Sequence, residues 1–220
     1  MPDTTQRATP LKNRVDPWGE LQERRTRGLL MGNRGVLHNE HDQVVRKWKT
    51  QSWVTCRMDV SFQKRSPFTQ GTYSELFFLD EATAYAAGHR PCRVCQREKH
   101  DRFNLTWTLA NRPENEGAIR QPRMQMAQID KALHVERVGQ DKLKRTHSAR
   151  LGDLPAGSMC AVGGHALLVS RAGLREWSFQ GYRPTNTLPP STPVELLTPP
   201  SVVAAIRHGL EVDLHPSAFV

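Results

Sequence analysis

Cys92-Arg93-Val94-Cys95 is the strongest chemical signal in the chain. Two thiols three positions apart fall on a tight turn that brings both sulfurs to one point, and thiolates so placed hold a tetrahedral Zn2+ ion. Arg90 and Arg93 beside them favour the thiolate form. One such pair is half a site, and the chain has no second Cys-x-x-Cys, so the remaining ligands come from distant positions. Cys56 is the third candidate, and His38 is taken as the fourth ahead of His41, His89 and Cys160. A redox pair is the competing use of Cys-x-x-Cys, but no thioredoxin-like βαβ pattern surrounds this one. Cys56 also has a plain reading as an apolar thiol on a strand, and Cys160, inside SMCAV, reads as core.

A second constellation draws on the same pair. His38-Asn39-Glu40 followed by Pro91-Cys92-x-x-Cys95 matches the letters of zinc-dependent nucleobase deaminases, where the glutamate shuttles protons. Glu40 is the catalytic candidate under that alternative alone. The surroundings fit poorly: glycine and asparagine flank His38 where a helix start is needed, and a helix separates the preceding strand from Pro91.

Several elements must position these residues. Trp53 to Gln63 alternates apolar and polar side chains and reads as a half-buried strand with Cys56 on its apolar face. Tyr73 to Leu79 reads as a second strand. Asp80 caps a short helix, 81–87, and Gly88 supplies its left-handed stop. A helix follows Cys95 to about Ala110, with Phe103 and Trp107 on one stripe. Another covers 123–137, with Met126, Ile129 and Leu133 along a face. Residues 111–122 read as a linker. From Ser158 the pattern becomes β: SMCAV, HALLVS and LREWSF form a meander, and VELL adds a strand. Thr198 is read as the N-cap of a last short helix that Gly209 ends. His147 and His215 read as loop residues.

The chain is 220 residues long with net charge +9, a pI near 9.8 and mean hydropathy of −0.61. Residues 151–220 hold four basic and five acidic residues, which leaves 27 basic against 17 acidic in 1–150. A positive field concentrated in one part of a chain favours polyanions. The clusters are Arg46-Lys47-Trp48-Lys49, Lys64-Arg65 and Lys142-Leu143-Lys144-Arg145, with Arg90 and Arg93 beside the cysteines. Basic side chains neutralise phosphates and an exposed indole stacks on bases. No apolar run is long enough for a membrane span. The N-terminal MPDTTQRATPLKNR lacks the apolar core of a secretory signal, so a cytoplasmic protein with free or metal-bound thiols is expected.

Leu76 to Cys95, LFFLDEATAYAAGHRPCRVC, resembles the metal-binding domain of Ada-type DNA methylphosphotriester repair proteins. The likeness rests on a strand, a short Ala-rich helix ending at Ala87-Gly88, then Arg90-Pro91-Cys92-x-x-Cys95. It implies that Cys92 and Cys95 are zinc ligands and that the partner is DNA. That family has two upstream cysteines, one of them methylated during repair. This chain has Cys56 alone, so a Cys3His set is implied and the methyl-acceptor role is not carried over. The whole chain is also similar to a group of uncharacterised bacterial proteins, in stretches such as MGNRG and KRTH.

These observations predict an α+β protein: a flexible basic arm (1–30), a small zinc-organised strand-helix domain (31–150), and a C-terminal antiparallel meander with a short helix (151–220). The expected function is zinc-containing nucleic-acid binding, DNA ahead of RNA, in repair or defence. The alternatives are a deaminase or other nucleic-acid-modifying enzyme, and a non-catalytic protein-interaction module.

Overall fold

The computed structural model describes residues 9–59, 66–112 and 123–220. The architecture is α+β, with two six-stranded sheets and four helices. The first sheet is mixed and contains β1 (Lys12–Val15), β2 (Leu21–Glu23), β3 (Leu30–Asn33), β4 (Val54–Cys56), β5 (Leu76–Phe78) and β6 (Arg90–Pro91), in the order β2-β1-β5-β3-β4-β6. Helix α1 (Glu81–Ala86) joins β5 to β6; α2 (Arg97–Ala110) and α3 (Met126–Arg137) follow. The second sheet is antiparallel: β7 (His147–Arg150), β8 (Met159–Val162), β9 (His165–Ser170), β10 (Gly173–Ser178), β11 (Gly181–Pro184) and β12 (Pro193–Leu196), in the order β11-β10-β9-β8-β12-β7. Helix α4 (Pro200–Arg207) packs with α2 through Trp107, Phe103, Val202 and Ile206. Among the described residues no helix is long and apolar enough to cross a membrane.

Local chemistry accounts for α1. Its alanines leave no bulk to clash, so neighbours pack against every side of it. The Asp80 carboxylate accepts from Thr83 N at 2.9 Å and from the Thr83 hydroxyl at 2.8 Å, satisfying the helix start. Its other oxygen accepts from Tyr182 Oη at 2.9 Å and His215 N at 3.0 Å, which ties the helix to β11 and the C-terminal segment. Leu79, Ala82 and Ala86 share one core with Met159, Leu168 and Tyr182 of the second sheet, and Ala84 and Ala87 share another with Val15, Leu76 and Phe78 of the first, so both sheets close on the same helix. At the far end Gly88 takes φ +84°, and a Cβ there would meet Arg137 Cδ at 2.4 Å. Only glycine fits both the left-handed turn and that contact.

Several expectations are corrected. The arm proposed over 1–30 is ordered where described: β1 and β2 form a hairpin that buries Val15 and Leu21. Leu30–Asn33, where that arm ends, is a central strand. Gly32 is needed there, since a Cβ would lie 2.3 Å from Val54 O. The strand bearing Cys56 is three residues long, and positions 60–63 of the expected strand lie outside the described residues. Thr198 does not cap α4: Pro199 holds the cap position, and Thr198 Oγ1 accepts from Met159 N instead. His147 opens β7 rather than lying in a loop.

Replacing Asp80 with Ala removes four hydrogen bonds to a buried carboxylate. The expected loss is about 2–4 kcal/mol of unfolding free energy, read by chemical denaturation.

Candidate metal centre

The parallel register of β6 on β4 decides where the sulfurs go. Val54 pairs with Arg90 and Thr55 with Pro91, so the next step along the ladder sets Cys56 beside Cys92. Cys92 N donates to Thr55 O at 2.9 Å and Gln96 N to Cys92 O at 3.0 Å. The Gln96 amide donates to Thr55 O at 2.8 Å and pins the turn to β4. The sulfurs of Cys56, Cys92 and Cys95 all lie within 4.8 Å of one another. Tetrahedral Zn–S bonds of about 2.3 Å put ligand sulfurs about 3.8 Å apart, so this spread suits one ion.

Electrostatics favours metal-binding thiolates. Cys92 Sγ accepts a hydrogen bond from Cys56 and the backbone N–H groups of Cys95 and Val94, and its pKa falls to about 5. Cys56 donates to that sulfur and is buried, which pushes its own pKa up. Burial also pushes Cys95 up, against the backbone N–H of Arg57, which aims at its sulfur. One thiolate and two thiols therefore share the cluster, and a dication bound there displaces the remaining protons. Cys56 is buried, whereas Cys92 and Cys95 are half-buried. Cys95 stands on the wall of a groove of about 1010 Å³ that also touches Arg57, Val94, Arg97 and Phe219.

All four cysteines and all nine histidines lie among the described residues, and no other one joins the three. The expectation for His38 is corrected. Its ring stacks on Phe68 at 4.7 Å, and its Nδ1 lies 2.6 Å from Ser74 Oγ, so a buried packing contact occupies it. The His-x-Glu constellation is not assembled either: Glu40 is exposed and lies beside His41. Cys160 sits fully buried in the second sheet, where burial raises its pKa to about 11.

The basic candidates divide. Arg46, Lys49, Arg93, Lys142 and Arg145 are exposed. Lys47 is exposed but paired with Glu20 at 2.6 Å. Lys64 and Arg65 lie outside the described residues. Arg90 does not face solvent: it is 6% exposed and makes a two-pronged bond to Asp130, at 2.8 and 2.7 Å, that braces β6 against α3. Lys144 turns inward as well, donating to Ala86 O at 2.5 Å and Leu197 O at 2.8 Å. Trp48 is half-buried against Trp53 and His134.

Lys144 has company that the sequence reading missed. Arg34 and Arg137 are both buried, with guanidinium carbons 4.2 and 4.0 Å from the centroid of the Trp53 ring. Burial lowers Arg34 to about 10 and Arg137 to about 9. Burial and these two neighbours bring Lys144 down to about 7. A desolvated cation on an indole gains about 2 kcal/mol, while burying an ion costs several kcal/mol, so the aromatic face offsets only part of the cost. One signal was available: Ile129, Leu133 and Arg137 are spaced by four on α3, which puts a charge on its buried stripe.

Comparison with protein-family models, curated proteins and solved structures finds no match to this chain.

Purified protein is expected to carry one zinc ion per chain. Cys56→Ser, Cys92→Ser and Cys95→Ser should each lose most of it by elemental analysis, while Cys160→Ser and His38→Asn keep it. The folded Lys144 loses its proton near pH 7 and the unfolded one near the ordinary 10.5. Between those values the unfolded chain holds the extra proton, so Lys144 makes stability rise with pH, by at most about 1.4 kcal/mol per pH unit. Lys144→Met should flatten that rise in denaturation series from pH 7 to 9.

Proposed function

We propose that the protein is a zinc-thiolate protein that binds nucleic acid, DNA ahead of RNA, in a repair or defence setting. The observation that carries the reading is the convergence of Cys56, Cys92 and Cys95, the last of which lines an open groove. Zinc held by these thiolates fastens the 92–96 turn to β4 and fixes the exposed Arg93 and Arg97 at the start of α2. The excess positive charge of residues 1–150 and the exposed Arg46, Lys49, Lys142 and Arg145 support a polyanionic partner. The Ada-type resemblance over 76–95 points to DNA.

Three sulfur ligands favour a second reading, chemistry on nucleic acid at the metal, because a tetrahedral ion has a fourth position that these residues do not fill. Zinc held by Cys56, Cys92 and Cys95 would supply Lewis acidity at that position. The deaminase form of that reading is not supported, since neither His38 nor Glu40 approaches the sulfurs. Replacing zinc by Co2+ and recording its visible spectrum with and without DNA separates the two. A spectrum that DNA leaves unchanged fits a structural ion, and one that shifts fits an exchangeable position.

Binding of a fluorescent duplex is expected to weaken on the order of a hundredfold between 50 and 200 mM salt if about four phosphates are contacted. Arg93→Glu with Arg97→Glu should weaken it further at fixed salt. An affinity indifferent to salt, or absent at 50 mM, sinks the nucleic-acid reading.

A further inference from the structure

The cations around Trp53 line a pocket of their own, whose walls include none of the cysteines. Its charged lining consists of Arg34, Lys47, Arg137, Lys142 and Lys144 against the single carboxylate of Glu20. That carboxylate is already bound to Lys47. Trp18, Trp48 and Trp53 supply aromatic walls. The pocket holds about 20 Å³, room for one solvent-sized group.

Its donors are oversupplied. Arg34 Nε donates to His89 Nε2 at 3.2 Å and Nη1 donates to Gly19 O at 2.9 Å, but Nη2 is buried with no partner. Arg137 donates from its two terminal nitrogens to Gly88 O and Gln51 O, and its buried Nε has no partner. His89, which does not line the pocket, accepts from Arg34 at Nε2 and fixes that guanidinium from behind. Gly19, at φ +81°, keeps the approach to Arg34 clear: a Cβ there would lie 3.3 Å from Nη2. Buried donors are satisfied in native proteins, and buried charges are paired. Here both requirements call for the same thing, an acceptor that carries negative charge.

We propose that this pocket is an oxyanion site that takes the terminal oxygens of a phosphate group, held by Arg34, Arg137 and Lys144. Only the tip of an anion fits the volume, so the rest of the ligand lies outside, over Trp48. Fork-shaped guanidiniums match phosphate oxygens. Two sources share that chemistry, free phosphate and the phosphorylated end of a nucleic acid. Only the second rests on the proposed function.

The test uses the full-length protein with its metal. Inorganic phosphate is titrated while tryptophan fluorescence and heat are recorded, then the titration is repeated with a 5′-phosphorylated oligonucleotide and its 5′-hydroxyl counterpart. One saturable phosphate site is expected. Arg34→Met or Arg137→Met should weaken it about tenfold. Because those buried changes can cost folding, two lip variants serve as well. Glu20→Gln should tighten phosphate about threefold and Lys142→Glu should weaken it by a similar factor. Absence of a saturable response, or affinities unchanged in both lip variants, overturns the site. Stronger competition by the 5′-phosphorylated oligonucleotide than by its 5′-hydroxyl form identifies a nucleic-acid end. Phosphate binding with no oligonucleotide binding at all upholds the pocket and rejects the proposed function.

Discussion

Every residue from Phe78 to Pro91 is buried, and the rest of the molecule is arranged around that fact. A segment with no solvent face must find an internal partner for each polar group it carries. Asp80, Thr83 and Arg90 all find theirs, and His89 finds one at Nε2 alone. Asp80 ends the helix electrostatically at one side, Gly88 ends it sterically at the other, and small alanines between them let two sheets approach one short helix. Each sheet builds its own core against this helix because the helix is thin enough to be surrounded.

The same segment sets the two sites apart. Past Gly88, three consecutive residues go three ways: the His89 ring receives Arg34, Arg90 locks onto Asp130, and Pro91 joins β4 in parallel register. The next residue is Cys92. Negative charge on sulfur and positive charge on buried nitrogen thus lie within a few positions of each other in the chain, yet they belong to different pockets. The Arg90–Asp130 pair ties the strand that leads into Cys92 to the helix that carries Arg137.

Strong local signals made part of this legible. The Asp80 cap, the Gly88 stop, the apolar stripes of α2 and α3 and the turn-punctuated meander of β8 to β10 are short-range patterns, and the structure follows them. Cys56 as third sulfur was legible because few thiols were available. What the residues did not reveal was set by distant partners. The hairpin of β1 and β2 rests on two buried apolar residues among polar neighbours, too few for a period to appear. His38 looked like a ligand by type, but a phenyl ring and a serine at the other end of a loop claim it. Lys144 and Arg90 looked like surface cations because charge normally stays in water. Their inward turn depends on carbonyls and a carboxylate contributed by other elements.

The tail of the chain is a latch rather than a fringe. His215 N reaches the Asp80 carboxylate, Asp213 N reaches Glu81, the Ser217 hydroxyl accepts from Tyr182 N, and Ala218 is fully enclosed. A protease cut ahead of Asp213 would strip a ready-made cover from two buried carboxyl groups at once, so clipping there would unfasten the molecule at its centre, whereas trimming Val220 alone would pass unnoticed.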